Sequence, residues 1–215
     1  YRPLRNLTFT LDYSVWRNRA VGYHLTNFLL NLLAVFLLCL AARTLFASDL
    51  AAMLCGLVFA FHPMHAETVN FIKNRSDMLC LIFLLASLYS FLKNKKGLSL
   101  SAYVLALLSK ELAVAFPLVL LLLPGKDRGW KAVGRTLPYF CLAGCLVFLK
   151  LVFLSVPAGS QPVDPAIAGV GTIRGVLSTY TQYFGLLFFP FRLELDRQLS
   201  VLGGLFSPSL IFFVI

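Results

Sequence analysis

Residues 28–42 read FLLNLLAVFLLCLAA, an apolar run broken by a single polar side chain, Asn31. With its flanks the run reaches the ~20 residues that a helix needs to cross a hydrocarbon core. A spanning helix is therefore expected over residues 23–45. Asn27 and Asn31 lie four apart near its start, share a face and are expected to hydrogen-bond a neighbouring helix. His24, at the same end, reads as a structural residue.

The rest of the chain has the same character. Of its 215 residues 59% are hydrophobic, 20 are Phe, and the mean hydropathy is +0.82. Charged residues make up 13%, about half the share usual in a soluble domain. Lipid offers backbone groups no partners, so such a chain must satisfy them in helices or a closed barrel. The expectation is an all-α, polytopic transmembrane bundle of about seven to eight membrane segments. The net charge of +10 does not point to nucleic acid, because the basic residues are scattered over loop ends. Cys39, Cys55, Cys80, Cys141 and Cys145 sit inside apolar runs without ligand spacing and read as small core residues.

Upstream, residues 1–22 mix aromatics with Arg2, Arg5, Arg17 and Arg19 and are expected to form an amphipathic interfacial segment ending a first outer loop. Residues 23–215 form the transmembrane core. Downstream, the run 50–61 spans only if its polar flanks lie in the interfaces. A third helix is expected over 77–92, a fourth over 98–108, a fifth over 112–123, a sixth over 138–156 and a seventh over 173–191. The chain opens at Tyr1 and ends in the apolar SLIFFVI. It is expected to be a piece of a longer protein, cut at both ends.

Between the second and third runs lies HPMHAETVNFIKNRSD, residues 62–77. Charge beside hydrocarbon is costly, and where it persists it tends to be functional. His62, His65 and Glu67 are metal-ligand types, but they lack the HExxH spacing and Pro63 intervenes. A pocket for phosphate or sugar hydroxyls is preferred to a divalent metal. Arg75 carries a fork of donors that matches a phosphate. Asp77 suits a helix start. Lys110 and Glu111 divide the apolar stretch 98–123. They lie either in mid-span of one long helix or at the joint of two short ones.

Charge favours two helices. KNKKG (93–97) and GKDRGWKAVGR (125–135) then share one side, as the positive-inside rule asks. The other side holds Arg2, Arg5, Arg17, Arg19, Lys73, Arg75 and Lys110. Cations there run against the rule and need a task. Binding an anion is the obvious one.

YRPL at the start, GYHLTN opening a helix, HPMHAETV followed by RSD, and LSKE together resemble one group. It is the membrane core of the transmembrane and tetratricopeptide-repeat O-mannosyltransferase-like family, within the C-type glycosyltransferase superfamily. The late LLFFPFRLELD is similar to that family's FPxPLSxDYS-type segment, departing at Arg192 and in lacking the Tyr. The resemblance implies transfer of mannose or a similar hexose from a polyprenyl-phosphate donor to an acceptor hydroxyl of a protein or glycan. The reaction would occur on the extracytoplasmic face, without a cofactor. It implies an acidic general base in an outer loop before Tyr1, with Asp12 a lesser candidate, and a tetratricopeptide array beyond the core. Arg75, Lys110 and Arg2 would hold the donor phosphate. His62, His65, Glu67, Asp77 and Glu111 would line the substrate pocket. Compact loops favour a bacterial inner membrane, with the endoplasmic reticulum membrane the eukaryotic counterpart. A lipid-linked sugar flippase and a non-catalytic membrane subunit are the alternatives, although the internal repeats expected of a transporter are not seen.

Overall fold

A computed structural model describes residues 2–62, 70–123 and 130–153, and all regular structure among them is helical. The expected seventh helix, the LLFFPFRLELD segment and the final apolar run lie outside the described residues, as do His65 and Glu67.

Helix α1, Pro3–Trp16, begins with Pro at its first position, where the missing N–H costs nothing. It ends at Arg17, whose φ of 52° turns the chain. Helix α2, Ala20–Phe46, extends the expected span at both ends. Ala47 stops it in the left-handed region, and the Ser48 side chain accepts from the Ala51 N–H to start α3, Asp49–Phe61. The two helices approach closely at Gly56, where an added Cβ would lie 2.4 Å from the Cys39 sulfur. A small residue permits that contact, a common device between membrane helices.

After a 3₁₀ turn at Ile72–Asn74, α4 runs from Arg75 to Leu92 and α5 from Lys96 to Ser109. The turn between them has Asn94 at φ 60°. Lys95 N–H donates to Ser90 O and Asn94 N–H to Phe91 O, the paired bonds of a Schellman motif that satisfy the last carbonyls of α4. Ser87 and Ser99 each donate to the other's backbone carbonyl, at 2.8 and 2.7 Å, which fastens the two helices at small residues.

The apolar stretch breaks at Lys110, whose backbone is extended at φ −155°, ψ 147°. A 3₁₀ segment, Glu111–Ala115, leads into α6, Phe116–Leu122. The two-helix reading of this stretch is the one observed. Helix α7, Trp130–Phe153, begins eight residues before the expected start at 138 and contains Pro138. The residue before Pro is biased away from the helix, but packing overrides that bias here. Thr136 and Tyr139 are buried, and Arg135 donates to Phe91 O and to Asn94 Oδ1. Phe91, Tyr103, Phe116 and Tyr139 form the centre of the core, with ring centroids 5.4–6.3 Å apart.

Among the described residues two helical segments, Ala20–Phe46 and Ile72–Leu92, are long and apolar enough to cross a membrane. Helix α2 leaves Leu25, Phe28, Leu29, Leu32, Leu33 and Phe36 open on its outer surface. In water so large an apolar face would be a liability; in lipid it is the expected exterior.

Candidate functional site

The start of α4 is a hub. Its consecutive residues Arg75, Ser76 and Asp77 each reach a different part of the chain.

Arg75 points inward and is 0% exposed. Its Nη1 donates to Asp12 Oδ2 of α1 at 2.5 Å, Nε to Asn27 Oδ1 of α2 at 2.8 Å, and Nη2 to Tyr23 O at 3.1 Å. The guanidinium carbon lies 4.7 Å from the centre of the Phe9 ring. Asp12 is itself buried and accepts a second bond, from the Thr26 hydroxyl. An isolated buried charge is prohibitive; here each ion has an opposite charge and further hydrogen bonds. The sequence expectation that Asn27 serves a neighbouring helix holds, with Arg75 of α4 donating to it. Asn31 makes no such bond among the described residues.

Ser76 and Asp77 face a second cluster that is open to the surroundings. Arg2 Nη1 donates to Ser76 Oγ at 3.1 Å, and Arg2 Nη2 lies 3.7 Å from Glu111 Oε2. Lys110 Nζ lies 2.6 Å from Asp77 Oδ1, to which the Ser76 hydroxyl also donates at 3.3 Å. Arg2, Ser76, Asp77, Lys110 and Glu111 thus close a ring joining the start of α1, the first turn of α4 and the break after α5. Lys110 and Glu111 take separate partners. The side chains of Arg2 and Lys110 are about a third exposed, those of Asp77 and Glu111 nearer half.

Several expected site residues come together. Arg2, Asp77, Lys110 and Glu111 share the ring, while Arg75, next to Ser76 in sequence, forms the buried pair with Asp12. His62 lies half-buried at the extended residue that ends α3. Sequence reasoning missed Ser76 as a member of the ring and Phe9 and Thr26 as partners of the buried pair. A Ser between two charged residues was the one available signal for the first.

The chain is 30% identical over 225 residues to protein O-mannosyl-transferase Tmtc2 of Drosophila melanogaster, a match covering 94% of this chain and 23% of that protein. It is 35% identical to protein O-mannosyl-transferase Tmtc1 of the same fly over 138 residues, 63% of this chain and 16% of that protein. It is also 35% identical to protein O-mannosyl-transferase TMTC3 of Homo sapiens over 95 residues, 44% of this chain and 10% of that protein. The matches span less than a quarter of the length of these relatives. No family model and no solved structure matches the chain.

Proposed function

The chain belongs to the family of the TMTC protein O-mannosyl-transferases, and on that premise we propose that it is part of the membrane core of a glycosyltransferase. That enzyme moves mannose or a similar hexose from a polyprenyl-phosphate donor to protein Ser or Thr hydroxyls on the extracytoplasmic face. The observation that carries this reading is the ring of Arg2, Ser76, Asp77, Lys110 and Glu111, in which two partly exposed cations stand at the start of α1 and the end of α5.

In the reaction the acceptor oxygen forms a bond to the anomeric carbon while that carbon's bond to the phosphate oxygen breaks. The electron pair leaves with the phosphate, and the acceptor proton passes to the carboxylate that the resemblance places before Tyr1. The protein's task at the departing group is to stabilise negative charge. A preorganised donor at such a charge contributes on the order of 10²–10³-fold. Arg2 and Lys110 are the residues suited to it. Arg75, expected to share the phosphate, has its donors engaged inside the protein. Asp77 and Glu111 hold the two cations until phosphate arrives, and His62, His65 and Glu67 complete the substrate pocket.

We read the whole core as seven to eight membrane segments of the C-type superfamily arrangement, with the Lys93–Lys96 turn on the cytoplasmic side. The relatives named above are animal proteins, which supports the endoplasmic reticulum membrane over the bacterial one that loop length alone favoured.

The test uses the full-length protein in membranes with a radiolabelled polyprenyl-phosphate mannose donor. Arg2→Ala and Lys110→Ala are each expected to lower transfer to protein by about 10²-fold at matched expression. Wild-type transfer in both variants would overturn the site assignment. Absence of transfer by the wild type from any of several lipid-linked sugars would overturn the reaction.

A further inference from the structure

Arg75 is the largest fully buried side chain in the described structure, and the reaction proposed above gives it no substrate to touch. Its bonds nevertheless decide where Arg2 sits. Arg2 caps the start of α1, and α1 is held to the bundle at Asp12 and Phe9 by Arg75 and at Asp12 by Thr26. Asp12 lies ten residues along the helix from Arg2, which at 1.5 Å per residue is about 15 Å. A tilt of roughly 10° about the Asp12 anchor would therefore displace Arg2 by between 2 and 3 Å. That exceeds the tolerance of its 3.1 Å bond to Ser76.

The second anchor is on α4 itself. Arg75 fixes the start of that helix against Asn27 and Tyr23 of α2, and the next two residues, Ser76 and Asp77, hold Arg2 and Lys110. One guanidinium thus sets both cations of the ring, one through α1 and one through α4. Lysine could supply the charge but not the fork, because three acceptors on two helices require three donors in a fixed plane.

We propose that Arg75 is a positioning residue that brings Arg2 and Lys110 to the spacing at which both reach one phosphate. This rests on the reading of the ring as the donor-phosphate site. It assigns to Arg75 a role through Arg2 and Lys110 and no contact with substrate. A displacement of about 1 Å in such a site can cost ~10²-fold, so a subtle loosening should be visible.

The experiment measures binding of a polyprenyl monophosphate to the full-length protein in nanodiscs, which requires neither transfer nor knowledge of the sugar. Arg75→Lys keeps the charge opposite Asp12 and is expected to weaken binding by about 10-fold, with its thermal midpoint recorded alongside. The deciding measurement is the same substitution on the Arg2→Ala background and on the Lys110→Ala background. If Arg75 acts through Arg2 and Lys110, its effect shrinks on the Arg2→Ala background and again on the Lys110→Ala background; a residue that only supports the fold gives effects that add on both. Thr26→Val, which keeps volume and removes one tether of Asp12, is expected to weaken binding about threefold and serves if Arg75→Lys does not fold. Binding by the wild type with additive effects overturns the positioning role alone. Absence of binding by the wild type overturns the phosphate site and the positioning role with it.

Discussion

Helix α4 carries cations at both ends, and the two ends treat them differently. At its start Arg75 is fully buried against Asp12, and Lys110 is paired with Asp77. At its finish Lys93, Lys95 and Lys96 are exposed, and the inward polar contacts are made by neutral hydroxyls. There Ser87, Ser99 and Tyr139 bond to one another, with Tyr139 donating to Ser99 Oγ at 2.6 Å. Arg135 bonds a carbonyl and an amide at this end. Lysines left in solvent are what orientation in a membrane requires. Charges drawn between helices and matched with carboxylates are expensive to maintain and mark the end with a task.

The largest effect should come from breaking the buried pair. Arg75→Ala leaves the buried Asp12 without its counter-charge, and Asp12→Ala does the same to Arg75; each should cost roughly 3–5 kcal/mol. Replacing both, as Asp12→Leu with Arg75→Met, should recover most of that stability, because an apolar pair of similar volume suffers no desolvation. Unfolding midpoints in detergent would check both statements. The double variant should still bind donor phosphate more weakly than the wild type, since the fork that positions Arg2 and Lys110 is gone. A single variant as stable as the wild type would erase the contrast between the two ends.

This contrast was partly legible in the residues. Apolar runs located α2 to α6 to within a few residues, since a hydrocarbon core demands unbroken helix. Within the strip at 62–77, Arg75 and Asp77 stood out by their cost, since charge beside apolar runs needs partners, and both have them. Asn27 was legible as an interhelical donor or acceptor because an amide at the edge of the run FLLNLL is costly to leave without a partner; the same argument applied to Asn31, which makes no such bond among the described residues. The pairing of Asp12 with Arg75 was not legible. The residues are 63 apart in sequence, and no local period connects them. The early start of α7 was hidden for a related reason. Pro138 argues for a boundary locally, and only the buried Thr136 and the reach of Arg135 to the α4–α5 turn argue against it.

A smaller effect is expected at the other end of α4. Ser99→Ala removes the acceptor of the Tyr139 hydroxyl and both side-chain bonds to Ser87. Buried hydrogen bonds between membrane helices average about 0.6 kcal/mol, so the loss should be on the order of 1–2 kcal/mol. Tyr139→Phe on the same background should cost little more, because the orphaned hydroxyl is then gone. A cost for Ser99→Ala as large as that for Arg75→Ala would mean that both ends depend on buried polarity alike.

The smallest effects on stability should separate the ends most clearly in function. The Lys110–Asp77 pair is partly open, with side chains 28% and 41% exposed, and pairs of that kind are worth at most about 1 kcal/mol. Lys110→Ala should therefore shift the unfolding midpoint only slightly. Lys95→Ala and Lys96→Ala, in side chains that the structure leaves in solvent, should shift it no further. Stability alone would then class the three lysines together. Binding of polyprenyl phosphate would not: it should fall steeply in Lys110→Ala and stay at the wild-type level in the other two. Equal losses in all three would show that the cations act as a diffuse field on the lipid headgroup. Loss in Lys110→Ala alone would show that the phosphate recognises a cation at this place beside Asp77, and not the positive charge of the chain at large.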